Sequence, residues 1–306
     1  KYDFVYEPGK HVVHVTIMNY GYDLTDSVVA AAYKVNSSPV ADKSKIYTEP
    51  APAEADGHSP MFLYILTFIF GTIIGSFLNV LIYRVPKHED FIFERSHCMS
   101  CGAALKWYDL IPIVSYVMLK GKCRCCKAAV SKQYPIIEGL CGLLWVSITM
   151  KYGFGPLGLI YCLLTSALLA LSVIDFRTME IPVGFNYFIL ALGIIVAFND
   201  RLNLAIHVIG FFAISVPLFA LYLVSKGAAI GGGDIKLMAT AGLLLGWQNI
   251  ILAFFAGCIL GAVIHLLRMK FFNAGRSLAM GPYLSAGIFL ASLFGEELIR
   301  FYIGLF

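Results

Sequence analysis

From Met61 onward the chain is a succession of apolar segments. An α-helix needs about 20 apolar residues to cross a hydrocarbon core of about 30 Å, and eight candidate segments are read near residues 61–84, 134–150, 154–174, 183–199, 204–225, 235–246, 250–267 and 281–303. Nothing else in the sequence limits the fold as strongly, because backbone polar groups in lipid must be satisfied internally. The sixth segment is too short to cross unaided and is expected to be a broken or re-entrant element starting at glycines. Composition agrees: 59% hydrophobic residues, 14% charged residues and a mean hydropathy of +0.77 lie outside the range of soluble globular domains. The predicted class is an all-α polytopic membrane protein of about eight transmembrane helices, with lipid as its solvent.

Charge sets the orientation. The loop 86–133 holds eight basic residues, and Arg84, Arg177, Lys226, Lys236, Arg268, Lys270 and Arg276 fall on the same side. Only Lys151, Arg201 and Arg300 fall on the other. The positive-inside rule therefore makes the 86–133 loop cytoplasmic and sends residue 60 and the C-terminal end outside. A net charge of +4 over 33.7 kDa, with Lys and Arg spread rather than striped, argues against nucleic acid as a partner.

Residues 1–60 contain no apolar run long enough to span a bilayer and carry eight acids against five lysines. Alternation in His11-Val-Val-His-Val-Thr-Ile and Ser27-Val-Val-Ala-Ala-Ala-Tyr predicts two strands, with a turn over residues 19–23. A soluble, β-containing appendage is expected, joined by a linker near 48–60. Because Met61 opens directly into an apolar segment, two readings stay open: an integral appendage, or a fused piece ahead of a natural start. The predicted organisation is thus 1–60 appendage, 61–85 first transmembrane helix, 86–133 loop domain and 134–306 membrane core.

The loop carries two CxxC pairs, Cys98-Met-Ser-Cys101 and Cys123-Arg-Cys-Cys126. Two such turns facing one another close a tetrahedron of thiolates, the spacing of a structural zinc knuckle. A redox dithiol and indifferent cysteines are the competing readings. Cys125 could stand in for Cys123, although the CxxC geometry favours Cys123 and Cys126. Four thiolates leave no open position for water, so a metal here folds the loop and performs no chemistry. Cys141, Cys162 and Cys258 lie in apolar segments and read as packing residues.

Two acids stand where lipid disfavours them. Asp175 closes the apolar run Ala167-Leu-Leu-Ala-Leu-Ser-Val-Ile, against both desolvation and the helix dipole. Asp234 follows Gly231-Gly-Gly and opens the short sixth segment. Two carboxyls facing across a small wet gap cannot easily both ionise, which equips one to take a proton from water and the other to give one to a carbonyl. The structural alternatives are an Asp175–Arg177 pair at the lipid interface and, for Asp234, a helix cap or an ion site in a transporter.

Further residues fall into an ordered series: Gly75-Ser-Phe-Leu-Asn-Val, Tyr83-Arg-Val-Pro86, the two CxxC pairs, Trp107-Tyr-Asp-Leu-Ile-Pro112, Tyr134-Pro-Ile-Ile-Glu138, Asp175 with Ile181-Pro182, Gly231-Gly-Gly-Asp-Ile-Lys236 and Gly281-Pro-Tyr283. Together they resemble the bacterial type IV prepilin peptidases over residues 61–306, with the Gly-x-Gly-Asp segment the mark of that aspartic protease class. The resemblance implies an eight-helix enzyme of the bacterial inner membrane. It would remove the basic leader from prepilins or pseudopilins at the cytoplasmic face, with Asp175 and Asp234 as catalytic carboxyls. It also implies N-methylation of the new terminus with S-adenosylmethionine. Val183 departs from an acidic or amide residue, Met280 from a phenylalanine, and residues 1–60 have no counterpart.

Several motif residues carry plain structural readings. Ser76 and Asn79 are expected to hydrogen-bond each other or a neighbouring helix, and Gly71 and Gly75 to form a helix-packing face. Arg84 reads as a snorkelling interface residue, and Glu138 as a carboxylate needing a cationic or hydrogen-bonded partner, with pairing to a basic residue of the cysteine loop and a place in the methyl donor site as its two open readings. No Gly-x-Gly-x-x-Gly follows a strand, so the methyl donor site is not located by motif. A secondary transporter and a non-enzymatic scaffold built on the zinc loop remain the competing classes.

Overall fold

The computed structural model describes residues 2–6, 11–15, 60–91, 93–228, 230–272 and 278–304. It divides into residues 1–63 and 64–306. In the first unit, β1 (Tyr2–Tyr6) pairs antiparallel with β2 (His11–Val15), placing Phe4 opposite Val13. The strand predicted at His11 is therefore present, but it pairs with the segment before it, from which the turn-forming Pro8-Gly9 separates it in sequence. The predicted strand at residues 27–33, its turn and the linker lie outside the described residues.

Beyond these strands the described chain is mostly helical: α1 (Pro60–Arg84), a short α2 (Val114–Met118), α3 (Gln133–Tyr152), α4 (Pro156–Thr178), α5 (Val183–Asn199), α6 (Leu204–Ala213), α7 (Ser215–Val224), α8 (Gly232–Leu245), α9 (Trp247–Phe272) and α10 (Gly281–Ile303). Each of the eight predicted segments is helical, with one correction. The segment 204–225 is two helices broken at Ile214, because Pro217 has no N–H to give the Ala213 carbonyl and its ring crowds that oxygen.

Among the described residues, four segments are by length and composition sufficient to cross a membrane: Met61–Lys87, Pro156–Thr178, Arg201–Val224 and Trp247–Phe271. The helix Val183–Asn199 is apolar but shorter. Outward-facing Phe70, Phe188, Phe198 and Phe255 are exposed, an apolar surface suited to lipid.

The short α8 lies at the centre of the bundle, packed by α5, α6, α7 and α9, while α4 packs on α3, α5 and α10. Leu237, Met238, Ala241 and Leu244 of α8 are at most 1% exposed. A helix sheathed by protein has no need to span lipid by itself, which explains how a 14-residue element is accommodated. On the other side, α1 lies directly against α3: a Cβ on Gly71 would sit 2.7 Å from the Cα of Gly142, and one on Gly75 the same distance from that of Glu138. The predicted small-residue packing face is therefore present.

Candidate functional site

Asp175 occupies the last turn of α4, which ends where Met179 turns left-handed and its amide bonds the Asp175 carbonyl at 2.8 Å. The side chain is 4% exposed. Its Oδ2 accepts the main-chain N–H of Gly281, at the start of α10, at 2.8 Å. Any side chain at 281 would collide, since a Cβ there would lie 2.6 Å from that oxygen. Asp234 is the third residue of α8, and its carboxylate reaches back to the N–H of Gly231, the residue capping the helix. Asp234 is therefore not the N-cap residue that the sequence offered as an alternative, since Gly231 holds that position and Asp234 lies within the first turn.

The two helix ends are brought together by a contact of their flanking residues. Ile181, in the segment following α4, packs on Gly233, where an added Cβ would lie 2.9 Å from the Ile181 Cβ. Asp234 thereby falls within electrostatic reach of Asp175, and the two like charges repel. Both acids sit at helix termini, whereas a transporter's ion site is expected near the midplane.

Arg177 is not a partner of Asp175. Its guanidinium donates to Gln133 Oε1 and stacks over the Tyr83 ring, 5.4 Å from the centroid. Gln133 in turn donates to Asn79 Oδ1 at 3.1 Å, and Asn79 donates to the Gly75 and Tyr134 carbonyls. Asn79 thus bonds the neighbouring helix rather than Ser76. The result is a polar chain from α1 through the start of α3 to the turn of α4 that bears Asp175. Sequence reasoning singled out Gly281 only as part of a motif and missed its partner, along with Gln133 and this use of Arg177, because each partner lies 44 or more residues away in the chain.

The cysteine lobe consists of two matched turns. In the first, Cys98 N–H bonds the Ala103 carbonyl and Gly102 N–H the Cys98 carbonyl. In the second, Cys123 and Lys127 repeat both bonds with Ala128 and Cys123. Each turn is flanked by a single antiparallel bridge, His97 with Ala104 and Lys122 with Ala129. The sulfurs of Cys98, Cys101, Cys123 and Cys126 lie within 4.8 Å of one another, and Cys125 is not among them.

The donor set fits zinc. Four sulfurs at about 2.3 Å from a tetrahedral ion are about 3.8 Å apart, and Cys98 Sγ and Cys126 Sγ are separated by 3.9 Å. Hydrogen bonds from the Ser100 and Cys101 amides, then from the Cys123 thiol, bring the Cys98 pKa down to about 6. At Cys101 the Ala103 amide acts in the same direction, but burial and the sulfurs of Cys126 and Cys98 outweigh it and push the pKa up to about 12. Four thiolates this close need a shared cation to ionise together.

Two residues anchor the lobe to the helices. Arg84 is 8% exposed and donates to the carbonyls of Asp90, Glu94 and Arg95, at 2.8, 2.8 and 3.3 Å. It gathers the segment after α1 around its guanidinium and does not snorkel as the sequence suggested. Glu138, on α3, accepts the N–H of Ile113 at 2.7 Å and the hydroxyl of Ser76. Ile113 has φ +61° and ψ −51°, and Val114 N–H bonds the Pro112 carbonyl across it at 2.5 Å. This is the strained positive-φ γ-turn, held here on a β-branched residue. Between lobe and helices lies a cavity of about 680 Å³.

Comparison with known proteins follows the same division. Residues 69–152 match the bacterial peptidase A24 N-terminal domain, and residues 162–266 the type IV leader peptidase family. A Pseudomonas putida prepilin leader peptidase/N-methyltransferase is 31% identical over 274 residues, covering 78% of this chain and 93% of the relative. The Stutzerimonas stutzeri protein of the same name is 31% identical over 284 residues, covering 82% and 98%. That of Legionella pneumophila is 30% identical over 276 residues, covering 80% and 96%. No solved structure matches the chain.

Proposed function

The chain belongs to the type IV leader peptidase family, and from that premise we propose that it removes the leader from type IV prepilins or pseudopilins and methylates the amine it exposes. Asp175 and Asp234 carry the cleavage. The observation behind this reading is that two carboxyls from separate helix ends lie within electrostatic reach of one another, one of them fixed by the Gly281 amide and the ends joined by the Ile181–Gly233 contact. One carboxylate takes a proton from water, whose oxygen attacks the scissile carbonyl, while the other carboxyl protonates the carbonyl oxygen. Collapse of the tetrahedral adduct returns that proton through the pair and delivers one to the leaving nitrogen. A like-charged pair suits this task because the first ionisation opposes the second.

The apolar N-terminal helix of the substrate enters the bilayer beside the bundle, so that its leader junction is level with the two acids. Burial then does the positioning. The eight predicted segments all cross or enter the membrane, the loop 86–133 faces the cytoplasm by its basic residues, and the membrane is the bacterial inner membrane. Zinc is the ion held by Cys98, Cys101, Cys123 and Cys126, and its part is structural. S-adenosylmethionine supplies the methyl group.

The test is leader removal from a prepilin in detergent, with Asp175→Asn and Asp234→Asn beside the unaltered protein. Each variant should lose cleavage by about 1,000-fold or more while eluting as a folded protein. Near-normal turnover in either would remove that residue from the catalytic role.

A further inference from the structure

The cavity beneath the cysteine lobe is built from the cytoplasm-proximal ends of α1 and α3 and from both cysteine turns. Its volume of about 680 Å³ falls in the range of roughly 300–1,000 Å³ that encloses cofactor-sized molecules. Glu138 is one of its walls and is 5% exposed. Its hydrogen-bond partners, the Ile113 amide and the Ser76 hydroxyl, are both neutral. Among the described residues no Lys, Arg or His pairs with it. A carboxylate so buried normally has a cationic partner. Of the basic groups that line the cavity, Arg84 is engaged with three carbonyls, Arg124 with Asp109 at 2.8 Å and Lys87 with Glu89 at 3.8 Å, while Lys106 and Lys122 line it without an ion pair to Glu138.

The methyl transfer proposed above calls for a ligand that carries positive charge on sulfur. We infer that the cavity holds this sulfonium donor and that Glu138 is its counter-charge, an assignment that rests on the methylation reading. The stacked rings of Tyr83 and Tyr134, centroids 6.0 Å apart, line the same space and offer an aromatic wall to a purine. Tyr83 also carries the Arg177 guanidinium on its ring, so the cavity wall and the Asp175 turn share a residue contact. In the transfer the amine lone pair forms the new N–C bond. The C–S bond breaks with its electrons staying on sulfur, and the alkylated ammonium sheds a proton to water. The product is a neutral thioether. Glu138 therefore binds donor more tightly than product, which empties the site after each turnover.

The experiment is equilibrium dialysis of S-adenosylmethionine and S-adenosylhomocysteine against the purified full chain and Glu138→Gln. Glutamine keeps an oxygen for the Ile113 amide and removes only the charge. The unaltered protein should prefer the sulfonium at least tenfold, and the variant should bind the two ligands within about twofold while retaining the zinc content of the parent. A second variant, Val80→Trp, fills the cavity from α1 and should weaken both ligands alike. Unchanged sulfonium preference in Glu138→Gln, unchanged affinity in Val80→Trp, or no binding to the unaltered protein would each overturn the assignment. Leader cleavage by the unaltered chain reports separately on the peptidase reading.

Discussion

The N–H of Gly281 donates to Asp175 Oδ2 across 106 residues of sequence, and no side chain fits between them. A single backbone amide thus sets the orientation of one carboxyl of the pair. It also brings the start of α10 into the site. Glycine is required at 281 for close approach to a buried carboxylate, a different demand from that of a turn.

Gly281→Ala is expected to displace the Asp175 carboxylate, because the added Cβ would lie 2.6 Å from the oxygen that accepts the amide. Leader cleavage should fall by about 100-fold, the equivalent of about 2.7 kcal/mol in the transition state. Methyl-donor binding, measured on the same preparation, should be unchanged, since the cavity is lined by other elements.

Metal content is expected at one zinc per chain. Cys98→Ser or Cys123→Ser should reduce it severely, whereas Cys125→Ser should leave it unaltered, since Cys125 lies outside the sulfur cluster. Atomic absorption on purified variants checks both halves. Cysteines 125 and 123 exchanging these behaviours would refute the ligand assignment.

Acid should release the metal. With Cys98 ionising near about 6 and Cys101 only near about 12 in the metal-free lobe, zinc must displace protons to bind. Below the Cys98 value both Cys98 and Cys101 hold a proton that zinc must displace, so affinity should fall by more than tenfold per pH unit. The measurement is zinc retained after dialysis between pH 8 and pH 5, and a flat profile would contradict it.

Arg84→Ala should loosen the segment joining α1 to the first cysteine turn. Three carbonyls lose a buried charged donor, at a cost of about 3–5 kcal/mol. Limited proteolysis should then cut within residues 86–97 at least tenfold faster, with the helices 133–245 still protected. Arg84→Lys should rescue little, because a single ammonium nitrogen cannot reproduce the planar spread of Nη1 and Nη2 that reaches the three carbonyls.

Glu138 shows where sequence reasoning stops. Its cost in an apolar helix announced that a partner must exist, and the basic cysteine loop was the natural place to seek one. That loop does supply a partner, but as the main-chain amide of Ile113 and not as a cation, presented by a strained γ-turn that no local pattern announces. Arg84 repeats the lesson: a terminal arginine on an apolar helix resembles a snorkelling residue until the folded loop brings it three carbonyls.

By itself the sequence determined the helical segments, the four thiols that cluster in the loop and the two acids that lipid would not tolerate without a use. Those features are local: hydrophobic runs, short spacings and unfavourable burial are written in consecutive residues. Tertiary structure alone decided that Ile181 rests on Gly233, that Gly281 holds Asp175, and that Arg177 turns to Gln133. It also decided that Glu138 faces a cavity. Each depends on the close approach of elements distant in the chain, and such approach is fixed by packing across the whole bundle.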